Sequence, residues 1–123
     1  MAKKILYKDL TDKIIKCFYH VYDELGGGFL ESVYEKSLII ELEEMGIAAE
    51  NQKQVNVYYK NELVGEFRAD IIVEGKILIE IKAVNTLLTI HEAQLLNYLK
   101  ATGIKIGLLV NFGGRLEFRR RIF

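Results

Sequence analysis

Residues 67–83 read Phe-Arg-Ala-Asp-Ile-Ile-Val-Glu-Gly-Lys-Ile-Leu-Ile-Glu-Ile-Lys-Ala, two apolar, strand-like runs on either side of Glu74-Gly75. Asp70 interrupts the first run, and Glu80 and Lys82 interrupt the second. Charges inside core-grade strands are costly to bury unless they are paired or hold a metal ion. Glu80 and Lys82 are two residues apart, so on a strand they point to the same face. The turn decides whether Asp70 joins them. A three-residue connection, Glu74 to Lys76, sets Asp70 opposite Glu80 and Ile72 opposite Leu78. A two-residue turn sets Asp70 opposite Ile79 and splits the acids across the sheet. The expectation is the longer connection or a bulge. Two carboxylates and an ammonium converging in this way are the minimal kit for metal-assisted hydrolysis. The plainer alternative is a structural Asp–Lys or Glu–Lys pair at the end of a strand.

Around this pair the chain alternates clearly between helical and strand signals. Leu10, Ile14, Cys17, Phe18, Val21 and Leu25 fall at helical spacing and make one buried stripe. Gly26-Gly27-Gly28 ends that helix. A second helix is expected from about Leu30 to Met45, with Leu30, Val33, Tyr34, Leu38, Leu42 and Met45 on one side and Gly46 as its stop. Glu41, Glu43 and Glu44 at its far end read as a solvated face. Val55 to Tyr59 alternates and is rich in strand formers, and Lys60-Asn61 reads as a turn. Phe67 to Val73 and Ile77 to Ala83 follow as strands. Thr89-Ile90-His91-Glu92 matches a capping box that opens a helix ending near Gly103. Ile106 to Val110 is wholly apolar, so both of its faces should be covered. Gly113-Gly114 is a turn, and Leu116 to Ile122 is a charged strand suited to a sheet edge. The order is α-α-β-β-β-α-β-β: a three-strand meander, a helical crossover, and an α/β (α+β) fold with helices flanking a mixed sheet.

Composition narrows the function classes. At 123 residues the chain, 1–123, is expected to form one domain. No apolar run is long enough for a membrane span. The opening Met-Ala-Lys-Lys-Ile-Leu-Tyr-Lys-Asp lacks the pattern of a secretory signal. A lone cysteine, Cys17, cannot form an internal disulfide, which fits a reducing cytoplasm; its place on a helix stripe marks it as a buried structural thiol. Seventeen basic residues balance 17 acidic ones, which argues against coating nucleic acid by bulk charge and leaves a local basic groove open.

The element order and the buried charges resemble those of the restriction-endonuclease-like PD-(D/E)xK nucleases. Asp70 stands for the first acid and Glu80-Ile81-Lys82 for the (D/E)xK. The chain is also similar, over nearly its whole length, to the GxxExxY branch of that superfamily. The branch's motif stands as Gly28-Phe29-Leu30-Glu31-Ser32-Val33-Tyr34. Phe67-Arg68-Ala69-Asp70, Glu80-Ile81-Lys82-Ala83, His91 to Leu99 and Asn111-Phe112-Gly113 follow in order. The departures are Gly27, where the branch often has proline, and Tyr22, where it often has histidine.

The resemblance implies a metal-dependent nuclease acting on DNA ahead of RNA, with a homodimer as a further expectation because one such site cuts one strand. Asp70, Glu80 and the carbonyl of Ile81 are the implied ligands of Mg²⁺ (or Mn²⁺), with Glu31 as a third carboxylate. Lys82 would orient the attacking water or stabilise developing charge. Helical spacing puts His91, Gln94 and Tyr98 on one face; in RecB-like members a glutamine in this position contacts the active-site lysine or the substrate. Each residue also has a structural alternative. Glu31 is placed to favour a helix dipole, Tyr34 to fill a core with its hydroxyl satisfied, and Gln94 to flank an amphipathic helix. In the substrate-binding reading Tyr34, one turn after Glu31, hydrogen-bonds Glu31 or the substrate phosphate, and His91 and Tyr98 contact the substrate; the structural alternative for His91 is a polar residue in a first helical turn. Arg68 could meet phosphate or pair with an acid, and Arg119, Arg120 and Arg121 could protect an edge strand or meet phosphates. The rival to an enzyme is a catalytically inactive interaction or assembly module on the same fold; a third reading is a small-molecule or phosphate-binding protein.

Overall fold

In the computed structural model, which describes residues 6–123, the elements are α1 (Lys8–Leu25), α2 (Glu31–Glu44), β1 (Ala49–Tyr59), β2 (Glu62–Val73), β3 (Ile77–Lys82), α3 (Thr89–Thr102), β4 (Ile106–Asn111) and β5 (Glu117–Ile122). Residues 1–5, which open the stretch read against a secretory signal, lie outside the described residues. The order is the expected one. The sheet runs β1-β2-β3-β4-β5, with β3 and β4 parallel and the other neighbours antiparallel. Helix α3 is the crossover that a parallel β3–β4 pair requires.

Side-chain alternation divides the core between the sheet faces. On one face Ile71, Val73, Ile77, Ile79, Ile81, Ile106, Leu108 and Val110 pack against Ile14, Cys17 and Phe18 of α1 and Tyr34, Leu38 and Leu42 of α2. On the other, Ala69, Ile72, Leu78 and Leu109 pack against Leu95 and Leu99 of α3. Both faces of β4 are covered, as its unbroken apolar run requires, and all six of its residues are buried. Cys17 is fully buried, and burial, with the nearby Glu41 carboxylate adding to it, pushes its thiol up to about 11. This is the inert structural thiol expected.

Four expectations need correction. Leu30 is exposed as the N-cap of α2, and Met45, its C-cap, is also exposed, so neither extends the buried stripe. Strand β1 begins at Ala49 and β2 at Glu62, well before the apolar runs, because the polar start of β1 pairs with the inner half of β2, Ala49 with Val73 and Lys53 with Ala69, while Glu62 pairs with Tyr59 at the hairpin tip. Strand β3 ends at Lys82, before Ala83. The start of α3 is shifted by one residue: Leu88 is the N-cap, and Nδ1 of His91 accepts the Leu88 N–H at 2.9 Å. Glu92 therefore makes no box with Thr89. It bonds the Arg121 guanidinium instead, a charge-assisted contact stronger than a cap. The last strand is an edge, as expected.

Candidate active site

Strands β2 and β3 part at Asp70. Their ladder joins Val73 to Ile77, Ile72 to Leu78 and Ile71 to Ile79, and stops there. The three-residue connection sets this register, with Glu74 and Gly75 both at positive φ (51° and 66°). Beyond Ile71 side chains replace the backbone. Asp70 Oδ2 accepts the Ile81 N–H at 2.8 Å, and Glu80 Oε1 accepts the Asp70 N–H at 3.3 Å. The two acids thus meet across the gap between the strands.

The neighbouring strand is distorted at the same level. Asn51 pairs with Ile71 and Lys53 with Ala69, but Gln52 and Asp70 drop out of the ladder, and Gln52 takes φ 53°. Side-chain alternation shifts at this point. Ala69 and Ile72, three residues apart, both join the core under α3, while Ile71 and Val73 join the other core. Asp70 sits at the switch. Its carboxylate contacts β3 at the Ile81 N–H and also receives the Gln52 amide at 3.3 Å.

Glu80 is buried, at 5% exposure, on the α3 side with Leu78 and Lys82. Burial, reinforced by the Asp70 charge and only partly opposed by Lys82, pushes its carboxyl up to about 8. The pair is therefore short of positive charge. A cavity of about 220 Å³ opens over Asp70 and Ile81 and is closed by Glu31, Ser32, Glu35 and Gln52. Glu31 stands exposed in the first turn of α2, so its carboxylate faces the cavity from the helix beside the sheet. Glu35, one turn later, is buried and accepts a hydrogen bond from the Gln52 amide. Burial raises its pKa, and the Asp70 charge adds to the rise against that bond. Neither Glu35 nor Gln52 was legible as part of this cluster. The available signal was the carboxylate at i+4 from Glu31, which shares its helix face.

On the other side, Lys82 Nζ donates to Gln94 Oε1 at 3.2 Å, and Gln94 Nε2 donates to the Tyr98 hydroxyl at 2.9 Å. Tyr98 stacks on Phe67, with ring centroids 3.8 Å apart. Burial and the charges of Glu80 and Asp70 raise the Tyr98 pKa. Asn111 fixes the chain just beyond Lys82: its side chain bonds both the N–H and the carbonyl of Val84, at 3.0 and 2.8 Å, and accepts the Gly113 N–H. A Cβ at Gly113 would lie 2.1 Å from the Val84 carbonyl oxygen, so only glycine fits there.

Tyr34 does not belong to the site, contrary to the substrate-binding expectation. It is fully buried, donates to the Gly26 carbonyl at 2.7 Å and accepts the Phe29 N–H at 3.1 Å. It also stacks on Phe112 at 4.3 Å. Its role is to hold the glycine loop that delivers Glu31. Arg68 donates to the Gln52 carbonyl at 3.0 Å and so braces the distorted strand. His91 uses Nδ1 at the start of α3. Arg119 pairs with Glu117 at 2.6 Å, Arg120 donates to the Leu6 carbonyl and Arg121 bonds Glu92, the arrangement of a charge-protected edge strand.

The oxygen donors around Asp70 suit a hard cation such as Mg²⁺. Among the described residues, no group of three or more His, Cys, Asp or Glu side chains is gathered tightly enough to hold a metal ion as it stands. The donor set is the Asp70–Glu80 pair, with Glu31 and Glu35 on the cavity wall beside it.

A mixed five-stranded sheet between helices, with Asp70 and Glu-x-Lys where two central strands diverge, defines a restriction-endonuclease-like fold. The family described as the PD-(D/E)XK nuclease superfamily matches residues 8–121, and the chain belongs to it. A solved structure described as "Crystal structure of SSO0001" is similar in fold, with TM-score 0.60 and 22% identity over 94% of this chain. The match spans 59% of that protein's length. No curated protein matches the chain. Among the described residues no helix is long and apolar enough to cross a membrane.

Proposed function

We propose that the protein is a divalent-metal-dependent nuclease of the GxxExxY branch, hydrolysing phosphodiester bonds of nucleic acid with Mg²⁺ or Mn²⁺. The observation that carries this reading is the meeting of Asp70 and Glu80 across the open end of the β2–β3 pair, with Lys82 on the same strand as Glu80. The chain's neutral charge supports cleavage at a defined cleft rather than bulk coating of nucleic acid.

Asp70 and Glu80 would hold the cation, with Glu31 and the Ile81 carbonyl as further ligands. Such a cation polarises the phosphate and lowers the pKa of a bound water. Glu35 and Gln52 keep the Asp70 carboxylate oriented toward the gap. Lys82 Nζ, held by Gln94, would position the attacking water and stabilise charge on the transferring phosphate. DNA is the expected substrate ahead of RNA.

The test compares wild type, Asp70→Asn and Lys82→Ala on labelled single- and double-stranded DNA and RNA, with Mg²⁺, Mn²⁺ or EDTA. Metal-dependent cleavage that both substitutions abolish supports the reading. Metal binding without cleavage by the wild type points to the interaction or assembly module.

A further inference from the structure

We infer that the open groove between α3 and the β1–β2 hairpin binds the unpaired bases of single-stranded nucleic acid next to the scissile phosphate. This inference rests on the nuclease reading and names the substrate class of that site. Two depressions of about 600 and 620 Å³ share Asn97 and Tyr98 and so form one path. The path begins at Gln94, the residue that holds Lys82, and ends between Tyr58 of β1 and Lys100 of α3. The candidate site and the groove are therefore continuous through the bonds from Lys82 to Gln94 to Tyr98.

The lining has the chemistry of base recognition. Phe67, Tyr98 and Tyr58 supply aromatic surface, and successive bases stack on such surfaces whatever their sequence. The exposed side-chain amide of Asn97 offers a donor and an acceptor, the pair of functions that base edges display, while the amides of Gln94 and Asn56 are engaged with Lys82 and Tyr98 and with Gln54 and Tyr58. Among the described residues no Asp or Glu lines either depression, although half the chain's charged residues are acidic. Among the described residues the basic side chains on the lining are Lys100 and His91. That suits a strand entering with few phosphates engaged. In a duplex, by contrast, the bases are hidden in the stack and the phosphates carry most of the affinity. Tyr58 is 61% exposed and Asn97 is exposed, so a ring face and an amide are open to an incoming base.

The experiment measures fluorescence-anisotropy binding of full-length protein in Ca²⁺ or EDTA to labelled single-stranded DNA, single-stranded RNA and duplex DNA of equal length. Wild type should bind at least one single strand more tightly than duplex. Tyr58→Ala should weaken single-strand binding by roughly 5-fold or more, the scale of one lost base stack. Asn97→Asp, which keeps shape and adds a negative charge, should weaken it further. Lys100→Gln should lower the salt slope by about 0.7, one single-strand phosphate contact. Which single strand binds more tightly separates DNA from RNA as the ligand. Equal or tighter duplex binding, or three variants that bind single strands like wild type, would overturn the inference. Single-strand binding that depends on Tyr58 and Asn97 in a wild type that cleaves nothing under Mg²⁺ or Mn²⁺ would leave the groove standing and remove the nuclease reading. Cleavage of duplex by wild type and all three variants alike would do the reverse. Retention of a protein partner on the hairpin, lost on Tyr58→Ala without any single-strand binding, would also overturn it.

Discussion

The β2–β3 pair has two ends built on opposite plans. At the turn end, Val73 faces Ile77, Ile72 faces Leu78 and Ile71 faces Ile79; the ladder is closed and every one of these side chains is buried and apolar. One residue further, at Asp70 and Glu80, backbone bonding gives way to two carboxylates that each accept an N–H from the opposite strand. The closed end contributes stability through burial. The open end gives up that contribution to gather charge. The two ends are coupled, because the closed end sets the register that brings Asp70 level with Glu80.

Substitution should separate these roles most sharply. Ile79→Ala at the closed end should cost about 2–5 kcal/mol of stability, the range for emptying a buried aliphatic site, measured by urea unfolding. Asp70→Asn at the open end keeps an oxygen for the Ile81 N–H and removes a charge beside buried Glu80. It should leave the unfolding midpoint near or above wild type at pH 8, yet reduce metal-dependent cleavage by roughly 10²–10³-fold, a few kcal/mol of transition-state stabilisation. A D70N protein as unstable as I79A would show that Asp70 is a strand fastener and would erase the distinction.

Titration sharpens the same contrast. Glu80 has an ordinary value of 4.5 when exposed and is pushed up to about 8 in the folded chain. Between these values the native state holds a proton that the unfolded chain releases. Stability is thus fully present below about 4.5 and is lost as pH rises toward 8. Glu80→Gln should flatten this profile and exceed wild type at pH 8 by about 2–4 kcal/mol, at 1.36 kcal/mol per pKa unit. Mg²⁺ or Mn²⁺ should raise the wild-type midpoint at pH 8 more than at pH 5, because it replaces a proton that is already weakly held at the higher pH. A wild-type profile that is flat between pH 5 and 8 would contradict the assigned burial of an unpaired acid.

The closed end was largely legible in sequence, and the open end only in part. Unbroken apolar runs from Ile71 to Val73 and Ile77 to Ile79 signal buried strands, and the need for Asp70 to meet Glu80 selects the three-residue connection. What sequence does not carry is the shift of alternation at Gln52 and Asp70. It arises from a left-handed residue on a neighbouring strand whose polar composition, Glu50-Asn51-Gln52-Lys53-Gln54, gives no strand signal. Glu35 was missed for a related reason. A glutamate inside a helix usually faces water, and only the fold shows that this one is buried against Gln52. Tyr34 was drawn to the site by its motif, whereas its hydroxyl is spent on the Gly26 carbonyl and the Phe29 N–H. The glycine loop needs such an anchor if Glu31 is to start its helix beside the cavity.

The smallest expected effects concern how the open end holds its cation. Among the described residues Lys82 has no carboxylate hydrogen-bond partner; Gln94 is its fixed contact, and Tyr98 fixes Gln94 in turn. If Lys82 acts from a set position, loosening this chain should lower turnover without altering metal affinity. Gln94→Ala should reduce kcat by roughly 10-fold, the lower range for losing an outer partner of a reactive group, while the metal-induced rise in unfolding temperature stays at the wild-type value. Gln94→Glu retains the acceptor oxygen and should recover part of the loss, and Tyr98→Phe, one bond further out, should cost only about 2- to 3-fold on the same reasoning. Equal losses from Gln94→Ala and Tyr98→Phe would mean that α3 acts as a packed wall rather than as a graded support for Lys82. A parallel loss of metal affinity would place Gln94's effect on the acids themselves, because positioning of the lysine alone leaves the Asp70–Glu80 pair unchanged.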